Sequence, residues 1–254
     1  MKWEIKDFKK ISGKNFYLIE GLPGMGNVGK IAVDFLIDNL KAEKVMEIYS
    51  YYFPHCVFVN EENLVELPSI KLYQKKIRGS DFLFLSGDIQ PLDEVSCYEF
   101  CNLVLDIFEK HKGKEIITLG GIGQQQIPKS PKLYCTGNNK SIIKRYTSKN
   151  VSNKIHGVVG PIIGVSGLLL GTASQRNIPA VAILAETYGH PTYLGLKGAR
   201  EIIKTLSSKF NFKLNFEKLN VEVEMIEKDI KTKRVPVINI KNLKKGSGDI
   251  NYIG

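Results

Sequence analysis

Apolar positions along this chain follow two spacings in turn. Phe16 to Ile19 is a short apolar run and predicts a strand. Asn27 to Leu40 predicts a helix, with Val28, Ile31, Ala32, Phe35 and Leu36 on one side. Val45 to Phe53 is β-branched and aromatic and predicts a strand. Val57 to Val59 and Val65 to Pro68 predict a hairpin around Asn60-Glu-Glu-Asn63, and Lys71 to Ile77 adds a further strand. Phe82 to Ser86 is apolar throughout, as in a strand buried on both faces.

The second half repeats the alternation. Asp93 to His111 predicts a long helix whose stripe is Phe100, Val104, Ile107 and Phe108. Ile116 to Leu119 is a buried strand that runs into Gly120-Gly-Ile-Gly123, and Gln124 to Asn139 is polar and proline-containing, a loop or edge. Ile155 to Val159 and Ala180 to Ala185 predict strands; Val165 to Arg176 and Lys197 to Phe210 predict helices. Leu219, Val223, Ile226 and Ile230 mark one more helix. Strands alternating with helices imply an α/β fold with a mixed, largely parallel sheet covered on both faces. No linker interrupts residues 1–231, which are expected to form one domain; residues 232–254 are expected to be an extended tail.

Composition narrows the class. With 43% apolar and 24% charged residues in 254, the chain suits a globular protein with a sizeable core. The stretch Val158 to Ala173 is too short and too rich in glycine for a membrane span, and the first residues, MKWEIKDFKK, lack the apolar core of a secretion signal. A cytoplasmic protein with no membrane partner is expected. The net charge of +10 raises nucleic acid as a partner, but the 36 Lys+Arg include only five Arg, at 78, 145, 176, 200 and 234, leaving 31 scattered lysines. A solvated lysine face is the simpler reading, densest at Lys140, Lys144, Arg145, Lys149 and Lys154, and nucleic acid is not the expected partner. Cys56, Cys97, Cys101 and Cys135 form no CxxC pair, so buried reduced thiols are expected rather than a metal site.

The stretch Gly21-Leu-Pro-Gly-Met-Gly-Asn-Val-Gly-Lys30 carries the sharpest chemical signal. Gly24, Gly26 and Gly29 match GxGxxG, and Gly24 to Lys30 matches the start of a Walker loop. Either pattern aims backbone amides at an anion from a helix N-terminus. Each also fails at one point. Ile31 stands where a Walker loop needs Ser or Thr for magnesium, and no acid ends the second strand to take ribose hydroxyls. Gly24, Gly26, Gly29 and Lys30 are therefore a candidate anion site, set against a structural role in close helix–sheet packing.

A hydrolase reading fares similarly. Gly164-Val-Ser166-Gly-Leu168 misses the last glycine of a nucleophile elbow, so Ser166 is expected to open a helix. Glu186 and His190 follow a strand, where α/β enzymes place chemistry, but no third partner accompanies them, and His156 lies in a strand run. No catalytic residue, metal or cofactor is assigned.

Four stretches taken in order, EGLPGMGNVGKIAVDFLID, LSGDIQPLDEVSCYEF, ITLGGIG and VVGPIIGVSGLLLGTASQRNIPAVAILAET, resemble the archaeal branch of the proteasome-assembly-chaperone-two family from about Glu20 to Phe210. The last stretch is the most specific. The resemblance implies a three-layer α/β/α fold of phosphorylase- or hydrolase-like topology, self-association into homo-oligomers, and a non-enzymatic chaperone or adaptor that contacts proteasome α-subunits or a related partner through its surface and C-terminal tail. Some relatives bind the proteasome ring through a C-terminal hydrophobic residue, Tyr and one final residue. Here Tyr252 is third from last, so a terminal carboxylate would dock out of register. Ile250, Tyr252 and Ile253, beyond the spacer Lys244-Lys-Gly-Ser-Gly-Asp249, are the candidate partner-binding residues. The enzyme alternative is a nucleotide- or phosphate-binding protein using the Gly24 to Lys30 loop, with ligase-like or phosphorylase-like activity.

Overall fold

A computed structural model describes residues 2–60, 62–217, 219–221 and 223–224. The strands are β1 (Trp3–Asp7), β2 (Tyr17–Glu20), β3 (Glu43–Ser50), β4 (Phe58–Val59), β5 (Val65–Glu66), β6 (Ile70–Ile77), β7 (Ser80–Gly87), β8 (Glu115–Gln124), β9 (Leu133–Gly137), β10 (Val151–Ser152) and β11 (Ala180–Tyr188). The helices are α1 (Val28–Leu40), α2 (Glu94–Lys110), α3 (Lys140–Tyr146), α4 (Val165–Gln175) and α5 (Leu196–Phe210).

Nine strands form one sheet in the order β1-β3-β6-β7-β2-β8-β11-β9-β10. The four central strands β7, β2, β8 and β11 are mutually parallel. On one side β7, β6, β3 and β1 pair antiparallel, and β9 pairs antiparallel to β11 on the other. The β6–β7 hairpin closes at Arg78 and Gly79, both at positive φ, a turn whose twist matches that of the strands. The sheet is thus mixed, as expected, with its parallel part in the middle.

Strand alternation divides the core into two. Leu18, Ile116, Ala182 and Leu184 face the layer that holds α2 and α4; Ile19, Ile117, Leu119, Val181 and Ile183 face the layer that holds α1, α3 and α5. Helices on both faces make the three layers. The stripe Phe100, Val104, Ile107 and Phe108 of α2 is buried as its spacing predicts. The start of α2 is fixed by Asp93, whose carboxylate accepts from the Ser96 amide at 3.0 Å, and Lys110 complements the dipole in its last turn. Leu219 and Val223 pack into the α1/α5 layer, while Ile226 and Ile230 lie outside the described residues, as do the expected boundary at 231 and the whole tail.

Two expectations need correction, and one helix was not foreseen. Ile155 to Val159 is not a strand; a single bridge joins His156 to Val159, and Gly157 at φ +79 turns the backbone between them. Its apolar residues instead fold under the chain, Ile155 and Val159 packing on the α2/α4 core. The basic stretch from Lys140 contains a helix, α3, started by Asn139 accepting from the Ile142 amide at 2.9 Å. Cys97, Cys101 and Cys135 are buried thiols, but Cys56 is exposed.

Candidate functional site

The glycine stretch leaves the C-terminal end of β2, the centre of the parallel strands, where folds of this type place their sites. A short 3-10 turn, Met25–Asn27, leads into α1. Two glycines of the loop sit in close contact with their surroundings. A Cβ on Gly29 would collide with the backbone oxygen of Leu119 in β8, so α1 lies against the sheet at a distance no side chain permits. Gly26 has φ +59, and a Cβ there would stand 2.6 Å from Thr187 Oγ1 in β11. The Gly195 amide at the start of α5 donates to the Gly26 carbonyl at 2.8 Å. The loop is thus packed against β8, β11 and α5.

Lys30 points away from the loop. Its Nζ lies 2.9 Å from Asp34 Oδ2, one turn further along α1, and Asp34 Oδ1 accepts from the Ser86 hydroxyl at 2.5 Å. A Walker lysine reaches back over the loop to phosphate; this one is held by its own helix. The four residues of the candidate anion site therefore share a loop, but the lysine is not brought to the glycines.

A carboxylate lies beneath them instead. Glu20 ends β2 fully buried, next to Thr118 of β8 in the parallel register. Its Oε1 accepts from the Leu22 amide at 2.9 Å, and Ser166 in the first turn of α4 donates to the carboxylate at 2.9 and 3.2 Å. Burial pushes the Glu20 pKa up to about 7, against the two hydrogen bonds that favour its charged form. The same burial, with the Glu20 charge nearby, raises the Cys101 thiol of α2. Gln90 completes the clasp: its Nε2 donates to Pro23 O at 2.6 Å and its Oε1 accepts from Val165 N at 3.1 Å. The glycine loop, the β7–α2 connection and the start of α4 are tied together by Glu20, Ser166 and Gln90. Ser166 is a first-turn residue, as expected. Glu20 and Gln90 were not singled out by sequence, although an acid closing an apolar run just before a glycine loop was a readable sign of Glu20.

Glu186 and His190 do not form a pair. Glu186 accepts from the Lys132 amide at 3.1 Å and from the Tyr134 hydroxyl at 3.2 Å, while His190 bonds Thr192 at 2.9 Å and stacks on Tyr188. Among the described residues no group of His, Cys, Asp and Glu is placed to hold a metal, and no helix is long and apolar enough to cross a membrane. The basic stretch is partly turned inward: Arg145 reaches buried Glu115 at 2.6 Å, and Lys209 sits 4.0 Å above the Tyr146 ring. Ile250, Tyr252 and Ile253 lie outside the described residues.

Apolar side chains that sequence reasoning passed over stand on the surface. Leu92 precedes α2, Val95 and Tyr98 follow it at helical spacing, and Leu64, Val65 and Leu67 stand out along the β4–β5 hairpin. The arrangement is a clasped, tightly packed strand-end with apolar side chains exposed on the surface nearby.

A model of the PAC2 family matches residues 18–233, and the chain belongs to that family. The uncharacterized protein MJ1210 of Methanocaldococcus jannaschii is 26% identical over 255 residues, spanning 99% of this chain and 96% of that one. Among solved structures, Pyrococcus furiosus PbaB, an archaeal proteasome activator, matches with a TM-score of 0.83 and 27% identity over 92% of this chain and 99% of its own. Pyrococcus furiosus PbaA, an archaeal homolog of proteasome-assembly chaperone, shares the fold with a TM-score of 0.75 and 24% identity, over 90% of this chain and 91% of its own.

Proposed function

We propose that this PAC2 family member is a non-enzymatic chaperone or adaptor that works as a homo-oligomer in the cytoplasm and contacts proteasome α-subunits. The likeness to the archaeal proteasome activator PbaB over nearly the whole of both chains carries the reading. The loop geometry supports the non-enzymatic part: Lys30 is committed to Asp34, and Glu186 and His190 are apart. In this reading residues 1–231 are the body, and Ile250, Tyr252 and Ile253 at the end of the tail touch the partner.

Retention on immobilised archaeal proteasome α-subunits tests it, with the full chain compared with a chain ending at Lys245. Binding by the full chain is expected, with loss on truncation assigning the contact to the last nine residues. Absence of binding by both chains would remove the proposal. Light scattering at several concentrations tests self-association, and a monomer at every concentration would remove that part alone. The description of PbaB as an activator favours contact with assembled rings over free subunits. Parallel retention on assembled rings separates the two.

A further inference from the structure

The layer formed by α2 and α4 carries its charge unevenly. From Ile155 to Gln175 there is no Asp, Glu, Lys or Arg, the longest such run in a chain with 24% charged residues. A buried strand can go without charge, but most of this run is at least partly exposed. Ile163 is 85% exposed and Val158 48%. The neighbouring α2 adds Leu92, Val95 and Tyr98, at 79, 59 and 53%. Gln90 brings the two groups together. Its Oε1 accepts from Val165 N at 3.1 Å, two residues after Ile163, and Leu92 follows Gln90 by two residues. Leu103 of α2 and Leu168 of α4 lie half-buried over the same core. The run ends in charge at both limits, at Lys154 and at Arg176, which holds Asp106 and Glu109 at 2.6 and 2.8 Å. Two acids at the start of α2 are engaged within the chain: Asp93 by the Ser96 amide at 3.0 Å, and Glu99 by Trp3 Nε1 at 2.9 Å.

Gly171 points to the occupant of this face. It lies on the exposed side of α4, and among the described residues no atom lies within 4 Å of a Cβ placed there. Glycine inside a helix is destabilising relative to alanine, so the packing of the single chain does not ask for it. Gly167, one turn earlier, differs, because a Cβ there would strike the Ile162 carbonyl. A glycine on an outer helix face allows another backbone to come close. A second copy of the same face fits that approach. An uncharged surface meets no like charge when it faces itself, and a two-fold axis is the commonest way for two identical chains to pair. Five large apolar side chains at these exposures, with the leucines beside them, approach the ~800 Å² that each partner gives to a stable interface.

We propose that two copies of this chain pair through the α2–α4 face, with Gly171 of each copy beside the two-fold axis. The pairing rests on the self-association proposed above and gives it a surface. Leu92 and Ile163 are the anchors, and α4 crosses its counterpart at the close distance that Gly171 allows. The layer of α1, α3 and α5 lies on the far side of the sheet, outside this contact.

Sedimentation equilibrium of the full chain over a range of concentrations tests it. A dimer is expected for the natural protein. Leu92→Glu combined with Ile163→Glu should raise the dissociation constant at least about hundredfold, as loss of two central anchors does. Gly171→Leu should raise it at least about tenfold, by holding the helices apart. Both variants should keep the circular dichroism of the natural protein, since all three positions are exposed. A natural chain that stays monomeric throughout overturns this proposal and self-association together. Association as strong in both variants as in the natural protein overturns this surface alone. Retention on α-subunits that is lost in the double variant while association persists overturns it in favour of that foreign occupant. As a second measurement, Gly171→Cys and, on α5, Lys204→Cys are each combined with Cys56→Ser, the other three cysteines being buried, and treated with a short bis-maleimide. A product of two-chain mass in clear excess from Gly171→Cys is expected. Equal yields overturn the placing of α4 at the axis.

Discussion

Ser166 and Glu20, 146 residues apart in sequence, meet in the core, where the hydroxyl donates to the carboxylate at 2.9 and 3.2 Å. The contact ties helix α4 to the end of the central strand. It also leaves a carboxyl group fully out of water at the foot of the glycine loop. Burial of a charge without a counter-charge is costly, and the raised pKa of about 7 records that cost.

The stability of the fold should therefore fall as Glu20 ionises. Its folded pKa of about 7 lies above the ordinary value of 4.5, so the folded state holds the proton more tightly than the unfolded chain. The stabilisation is fully present below pH 4.5 and is lost as pH rises to about 7 and beyond. The span corresponds to about 3 kcal/mol. Denaturant unfolding from pH 5 to 8 should show this decline in the natural protein and a flatter profile in Glu20→Gln. Parallel profiles would mean that Glu20 is solvated.

Gly29→Ala should be severely destabilising. The new methyl would strike the Leu119 carbonyl, and backbone cannot withdraw as a side chain can. A loss of about 3 kcal/mol or more is expected. Gly24→Ala is the control, since no atom lies within 4 Å of the added carbon, and it should change stability by less than about 1 kcal/mol. Urea midpoints of the two variants decide this, and equal midpoints would show that the GxGxxG spacing is not a packing device.

Gln90→Ala should cost about 2 kcal/mol, because it removes two hydrogen bonds that join separate segments, to Pro23 O and from Val165 N. Hydrogen exchange in the first turn of α4 should rise with it. Unchanged exchange there would show that Gln90 does not hold the helix start.

Nucleotides should leave the melting temperature unchanged. A ligand at a hundred times its Kd would add about 2.7 kcal/mol. Lys30→Ala should cost less than about 1 kcal/mol, as befits one partly exposed i,i+4 pair. A thermal shift with ATP that disappears in Lys30→Ala would reinstate the nucleotide reading.

Much of the architecture was legible in the chain. The run Phe82 to Ser86 reads as a buried strand because both faces of a central parallel strand need apolar residues. The stripe of α2 reads as a helix because only a 3.6-residue period gathers Phe100, Val104, Ile107 and Phe108. Edge elements were harder. Trp3–Asp7 is half polar and earns its strand by pairing with β3, and Leu133–Gly137 by pairing with β11. Ile155 to Val159 has strand composition, yet Gly157 turns it aside.

For the site, the sequence by itself determined the glycine loop, its place between strand and helix, and its two departures from nucleotide-binding patterns. Those are matters of residue type and order, which need no partner to be read. Only the tertiary structure decided that Lys30 serves Asp34, that Gly29 lies against Leu119, that Glu186 and His190 bond different partners, and that Glu20 meets Ser166 while Gln90 joins Pro23 to Val165. Each of these depends on which distant segment the sheet order brings alongside, and long-range pairing of strands and helices leaves no mark in local spacing.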